Sequence, residues 1–169
     1  MCVKVVLGII TYNRAKYLNN LLNSFIRTRN NELEYILIIA DDGSTDGSIL
    51  VVEEFIKKHA EFVCVLIKNN RSFIAGQTNS ILLESTKYEY DYGFMVNDDV
   101  EFMESGWDKA YIEAMEKTKY YHLVYYDKRY ASKKAAKSLH NSKKIKVNSC
   151  VNIVSKIDYK LCMGCFWTF

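Results

Sequence analysis

Short apolar runs without internal polar alternation recur along the chain, separated by turn-rich segments and by apolar residues at helical spacing. Val3 to Ile10 is the first run, rich in β-branched residues. Thr11, Tyr12 and Asn13 follow it, and Leu18, Leu21, Leu22, Phe25 and Ile26 then mark one face of a helix that Asn13 is placed to cap. The second run, Tyr35 to Ala40, leads into DDGSTDGS, where Ser44, Thr45 or Asp46 is expected to cap a helix carrying Ile49, Val52, Phe55 and Ile56. Phe62 to Ile67 predicts a third strand, Asn69 to Phe73 a loop, and Ala75 to Thr86 a helix whose buried side holds Ile81 and Leu82. Tyr92 to Asn97 predicts a fourth strand, Trp107 to Thr118 a further helix and Tyr121 to Tyr126 a further strand. Ile145 to Val154 and Leu161 to Phe169 read as closing strands. Continuous apolar strands alternating with helices are what a parallel sheet covered on both faces requires, because neither side of such a strand meets water. The pattern therefore predicts an α/β domain with a Rossmann-like first half. No repeat or linker divides it, so residues 1–169 are expected to form one domain.

In sheets of this kind ligands bind beyond the carboxyl ends of the strands. The polar residues of the chain gather there: TYNR follows the first strand, Asp41 and Asp42 the second, Asp98 and Asp99 the fourth. Two adjacent aspartates at a strand end conflict with each other, since burying an unpaired carboxylate is costly and like charges raise each other's pKa. A bound cation removes that conflict. Oxygen-only ligands favour Mg2+ or Mn2+, which take one or two protein carboxylates and complete their shell with phosphate and water. A solvated turn or a helix cap would explain one such pair; a second acidic cluster on the same edge favours a site.

Composition narrows the picture. A chain of 169 residues with 49% hydrophobic content can bury one substantial core. No apolar run approaches the ~18 residues that a membrane span needs, and no basic-then-apolar leader opens the chain. A soluble, cytoplasmic protein without a transmembrane segment is the expectation. The formal charge of +3 conceals an asymmetry: residues 1–127 carry 13 Lys/Arg against 19 Asp/Glu, and residues 128–169 carry 10 against 1. The basic positions are not interleaved with regular aromatic stacking residues, which argues against nucleic-acid binding. Lys128 to Lys146 is expected to be a disordered, solvated loop, with closure over a diphosphate or contact with an acidic acceptor as the functional alternatives. The five cysteines, Cys2, Cys64, Cys150, Cys162 and Cys165, are irregularly spaced and read as reduced, buried thiols. Cys162 and Cys165 form a lone CxxC that could be joined with Cys150 and His140 into a zinc site, but packed thiols account for it more simply, as packing does for His122.

Four segments, ITYNRAKYLNNLLNSF, IADDGSTDGS, NNRSFIAGQTNSILLE and FMVNDDVEF, spanning about residues 3 to 102, together resemble an inverting GT-A glycosyltransferase of the family 2 type. The resemblance implies a GT-A fold: a Rossmann-like three-layer sandwich around a mostly parallel central sheet. It also implies transfer of a sugar from a nucleoside diphosphate sugar, with UDP the expected nucleotide, to an acceptor hydroxyl with the help of Mn2+ or Mg2+. By the same analogy Asp42, with Asp41 as the neighbouring alternative, contacts the base. Asp98 lies near the ribose with Asn97 beside it, and Asp99 coordinates the metal. Thr11, Tyr12, Asn13 and Arg14 match the loop that wraps the nucleotide, with Thr11 or Tyr12 the favoured contacts. Gly76 and Asn79 match positions that carry Gly or Ala and Asn. Arg71 is a candidate to neutralise diphosphate charge, or a solvated surface arginine. Gln77 departs from the pattern, standing near where many relatives carry a basic residue.

An inverting transfer also needs a general base for the acceptor hydroxyl. In the resembled family it lies beyond a glycine-containing strand similar to LCMGCFWTF, so the domain is expected to be truncated on its acceptor side, before that acidic segment. Asp127 and Asp158 do not match the motif, and Phe166 and Trp167 either line an acceptor pocket or pack in the core. A dinucleotide-dependent oxidoreductase should show GxGxxG after the first strand, where only Gly8 stands. A sugar nucleotidyltransferase should show a glycine-rich, basic loop there, which TYNRAKY does not supply. The competing reading from another class is a non-catalytic nucleotide-sugar-binding or interaction module on the same fold.

Overall fold

The computed structural model describes residues 2–119, 123–125, 143–147, 150–154 and 166–169. Strands β1 (Lys4–Thr11), β2 (Glu34–Asp41), β3 (Val63–Lys68) and β4 (Tyr92–Asn97) alternate with helices α1 (Ala15–Thr28), α2 (Ser48–Lys58) and α3 (Phe73–Ser85); α4 (Trp107–Thr118) follows β4. Four further strands follow: β5 (Leu123–Tyr125), β6 (Lys143–Val147), β7 (Cys150–Val154) and β8 (Phe166–Thr168). The strand order is β3-β2-β1-β4-β8-β5-β7-β6. The first four strands pair in parallel, and the last four join antiparallel, β8 onto β4. The expected α/β sandwich is therefore present, with its parallel part confined to β1–β4.

Burial explains why β1, β2 and β4 read as unbroken apolar runs, while β3 at the sheet edge is half-buried. Val5, Leu7 and Ile9 of β1 face Leu18, Leu21 and Phe25 of α1, Val52 and Phe55 of α2, and Trp107, Tyr111 and Met115 of α4 in one core. Val6 and Ile10 face the other way, onto Ile81 of α3 with Ile36, Ile38, Ala40 and Met95. Each fully buried side chain of this size contributes about 1.5–3 kcal/mol relative to exposure, so both faces of β1 and β2 are fixed. Gly8 is what lets α3 lie so close: a Cβ there would stand 2.6 Å from Ile81 Cγ2 and 2.9 Å from Met95 Sδ.

Several boundaries differ from the sequence expectation. Helix α1 is preceded by Arg14 in the capping position, with Asn13 one residue outside it at φ +51°. Gly47, in the left-handed region at φ +94°, takes the capping position of α2 instead of Ser44, Thr45 or Asp46. Helix α3 begins at Phe73, two residues early, because Asp42 captures the amides of Ser72 and Phe73. The expected strand over Ile145 to Val154 is two strands, paired antiparallel with Val147 opposite Cys150. Strand β6 also begins inside the basic stretch, where Lys144, Ile145, Lys146 and Val147 alternate with the period of a strand. Cys2 is exposed rather than buried, lying outside β1 with its thiol on the Glu32 carbonyl at 3.2 Å. Cys64, in β3, is half-buried, and burial pushes its thiol up to about 12. Residues 120–122, 126–142, 148, 149 and 155–165, and with them His122, Asp127, His140, Asp158, Cys162 and Cys165, lie outside the described residues, as do the side chains of Cys150, Phe166 and Trp167. Among the described residues, no helix is long and apolar enough to cross a membrane.

Candidate functional site

Parallel register brings the strand ends together. Thr11 stands opposite Asp41, Asp41 opposite Lys68, and Ile10 opposite Asn97, so the turns after β1, β2, β3 and β4 share one edge. Thr11, only 2% exposed, closes β1. Its amide donates to Gln77 Oε1 at 3.0 Å, and its hydroxyl donates to Asp98 Oδ2 at 2.8 Å. Arg14 Nη1 reaches Asp98 Oδ1 at 3.3 Å and Asp99 Oδ2 at 2.7 Å. One chain of polar contacts thus runs from α3 through β1 to the end of β4. Burial pushes the Asp98 carboxyl above its ordinary range, the Asp99 charge adds to that, and the Thr11 hydroxyl and Arg14 guanidinium oppose both. Asp98 is buried and Asp99 is exposed, so adjacency in sequence gives two unlike carboxylates. The Asp98 charge in turn holds the Arg14 guanidinium above its usual value.

The loops on either side are tied by side chains rather than by secondary structure. Asn13 donates its amide to Ser44 Oγ at 2.8 Å, and its Oδ1 accepts from the Thr45 amide at 2.7 Å. Asp46 accepts from the Ala15 amide at 2.9 Å and from the Ser48 hydroxyl at 2.6 Å, which joins the starts of α1 and α2. Asp41 Oδ2 accepts from the amides of Gly43 and Ser44 in a tight turn, while its Oδ1 is buried with no hydrogen-bond partner among the described residues.

Asp42, 1% exposed, is already occupied. Its Oδ1 accepts from the Ser72 amide at 2.6 Å and hydroxyl at 3.0 Å, and its Oδ2 from the Phe73 amide at 2.9 Å. Burial raises this carboxyl, but those donors and the Arg71 charge outweigh burial and hold it below the ordinary range. The turn so anchored carries Arg71 and Phe73 at φ +54° and +57°, a region bulky residues rarely adopt. Arg71 sets its guanidinium 4.2 Å from the Tyr12 ring centre and 5.0 Å from that of Phe73. Gly76 lies over this turn, where a Cβ would stand 2.4 Å from Ser72 Cβ.

Thr11, Arg14, Asp98 and Asp99 thus form one hydrogen-bonded group, and Tyr12, Asp42, Arg71 and Gly76 border it through the 71–73 turn. Asn97 ends β4 half-buried, next to the pair. Asn79 lies on the exposed side of α3, and among the described contacts it does not join the cluster. Sequence reasoning missed the part played by Gln77, whose buried place four residues before Ile81 on α3 was the available signal.

The family model for Glycosyl transferase family 2 matches residues 7–166. This chain belongs to glycosyl transferase family 2. Comparison with curated proteins gave no significant match. Solved glycosyltransferases share the fold. The mannosyltransferase PcManGT from Pyrobaculum calidifontis, in complex with GDP-Man and Mn2+, aligns with a TM-score of 0.63 at 17% identity over 74% of this chain and 35% of its own. S. aureus TarS 1-349 in complex with UDP-GlcNAc aligns with a TM-score of 0.60 at 17% identity over 90% of this chain and 45% of its own. Glucosyl-3-phosphoglycerate synthase from Mycobacterium tuberculosis, in complex with UDP, aligns with a TM-score of 0.51 at 12% identity over 73% of this chain and 43% of its own. The family 2 chain described here therefore spans less than half the length of these structures.

A family 2 site must also be tested for a cation. Among the described residues, no group of three or more His, Cys, Asp or Glu side chains is gathered to hold one. The donor set at the end of β4 nevertheless fits a hard cation of the Mg2+ or Mn2+ kind. Such ions need one or two carboxylates and take the rest of their shell from phosphate and water, and Asp99 presents an exposed carboxylate beside a buried one.

Proposed function

We propose that this chain forms the donor-binding part of a hexosyltransferase that moves a sugar from a UDP-sugar to an acceptor hydroxyl with the help of Mn2+ or Mg2+. The observation that carries this reading is the contact chain Gln77–Thr11–Asp98–Arg14–Asp99, which gathers unlike charges at the edge where the parallel strands end. Asp99 would hold the cation, and Asp98, fixed by Thr11, would face the ribose with Asn97 beside it. When bound, the cation draws charge from the departing diphosphate as a Lewis acid. Arg14 and Arg71 supply guanidinium groups for the phosphate oxygens, a geometry suited to bidentate contact. Tyr12 offers an aromatic face beside Arg71. Asp42 would meet the base once the Ser72 and Phe73 amides yield one of its oxygens. GDP-Man, UDP-GlcNAc, UDP and Mn2+ bound in structures of the same fold support this reading.

Calorimetric titration of UDP, GDP and their sugar conjugates, with and without Mn2+, tests it on the native chain and on Asp99→Ala. The expected result is metal-dependent diphosphate binding that Asp99→Ala loses by at least tenfold. Equal binding by the two proteins, or none by either, would defeat it.

A further inference from the structure

The pair Asp98 and Asp99 already has a cation, and the chain itself provides it. Arg14 stands at the start of α1, its amide 3.3 Å from Ser48 Oγ, so the base of the side chain is held in place. Its outer part reaches solvent, the side chain being 48% exposed, so leaving the aspartates requires no unpacking of the core. One nitrogen, Nη1, donates to both carboxylates, at 3.3 Å to Asp98 Oδ1 and at 2.7 Å to Asp99 Oδ2. A guanidinium stays charged at any pH a folded protein meets, so Arg14 can vacate the pair only by swinging away. A divalent ion on the Asp99 carboxylate would stand a few ångströms from that positive charge, and the repulsion between the two disfavours their joint occupancy. Arg14 and the metal therefore compete for one place. A diphosphate changes the balance, because it brings negative oxygens for the metal and a second anionic partner for the released guanidinium.

From this geometry we infer that Arg14 is an exchangeable counter-ion: it neutralises Asp98 and Asp99 in the empty protein, and it passes to the phosphate oxygens when the metal enters with the donor. The inference rests on the donor-binding reading above. It makes metal binding conditional on the diphosphate, and by linkage the metal and diphosphate strengthen each other through Arg14. Lone Mn2+ must displace the guanidinium with nothing offered in return; Mn2+ with UDP does not.

The test measures Mn2+ binding from the electron-paramagnetic-resonance signal of the free ion, without nucleotide, for the native protein, Arg14→Gln, Arg14→Lys and Asp99→Ala. A calorimetric arm measures UDP affinity at saturating Mn2+. Circular dichroism confirms that the variants fold, as the half-exposed position of Arg14 leads one to expect. Arg14→Gln should bind lone Mn2+ at least tenfold more tightly than the native protein and UDP about tenfold more weakly, and Arg14→Lys, which keeps the charge, should retain weak Mn2+ binding. Unchanged or weaker Mn2+ binding by Arg14→Gln would overturn the competition, and unchanged UDP affinity would overturn the transfer to phosphate. Asp99→Ala separates the two readings. Measured with UDP present, where the native chain should hold Mn2+, equal Mn2+ binding by Asp99→Ala means that the metal site itself is misassigned and the inference falls with it; if Asp99→Ala loses Mn2+ there while Arg14→Gln matches the native chain for the lone ion, the inference alone fails.

Discussion

Replacing Thr11 by Val tests how Asp98 is held. Valine keeps the β-branch and nearly the volume, so it stays compatible with the strand, and the backbone amide keeps its bond to Gln77. The substitution removes only the hydroxyl that donates to Asp98 Oδ2. A hydrogen bond to a charged, buried group is worth about 1.5–3 kcal/mol, against about 0.5–1.5 kcal/mol for a neutral pair. The deficit should therefore depend on the charge of Asp98. In the native protein burial raises the Asp98 carboxyl and the Thr11 hydroxyl lowers it, with a net rise. A carboxyl whose folded value exceeds its unfolded value of about 3.9 adds stability below that pH and loses it as pH rises through the folded value. Thr11→Val removes an opposing contribution, so the folded value climbs further and the loss toward neutral pH grows. Urea unfolding followed by tryptophan fluorescence should show a deficit of about 2 kcal/mol at pH 7, shrinking to about 1 kcal/mol or less near pH 4. A deficit that is absent, or equal at the two pH values, would refute this account of Asp98.

Gln77→Leu should cost about 1–3 kcal/mol in the same assay, because it strands the buried Thr11 amide, and it should weaken UDP binding by displacing Thr11 from Asp98. Asp46→Asn should lose stability chiefly above pH 4. Burial raises the Asp46 carboxyl, but the amides of Ala15 and Ser48 and the Ser48 hydroxyl hold it below the ordinary range. Its contribution is thus full above the unfolded value of about 3.9 and fades as pH falls through the folded one. Brief iodoacetamide labelling at pH 8, mapped by mass spectrometry, should modify Cys2 well before Cys64, whose burial holds the thiol near 12. Equal labelling of the two would contradict the shielding of the Cys64 thiol.

Periodicity made β1 to β4 and α1 to α4 legible, since strands covered on both faces, as β1, β2 and β4 are, have few solutions other than a continuous apolar run. The Asp98–Asp99 pair was equally plain, because two adjacent carboxylates at a strand end call for a cation. What periodicity could not carry was side-chain partnership across the sheet. Thr11 meets Gln77 at a separation of 66 residues and Asp98 at 87, and only parallel register with close packing of α3 over Gly8 puts them in reach. The contacts of Arg14 with Asp98 and Asp99, at separations of 84 and 85 residues, are likewise invisible to periodicity. Capping misled where glycine intervened: Gly47 takes the left-handed position before α2, and Asp46 spends its carboxylate on Ala15 and Ser48. Strands β6 and β7 look like one run in the sequence because Ile145, Val147, Val151, Ile153 and Val154 form one apolar series interrupted only by small or polar residues.

Anomalous diffraction at the manganese edge, from crystals grown with UDP and Mn2+, tests the central claim most directly. The account predicts a single strong peak at coordination distance from Asp99 and from the diphosphate, with Arg14 turned from the aspartates to the phosphate oxygens. A peak remote from Asp99, or UDP bound away from the edge formed by Thr11, Asp42 and Asp98, would contradict it.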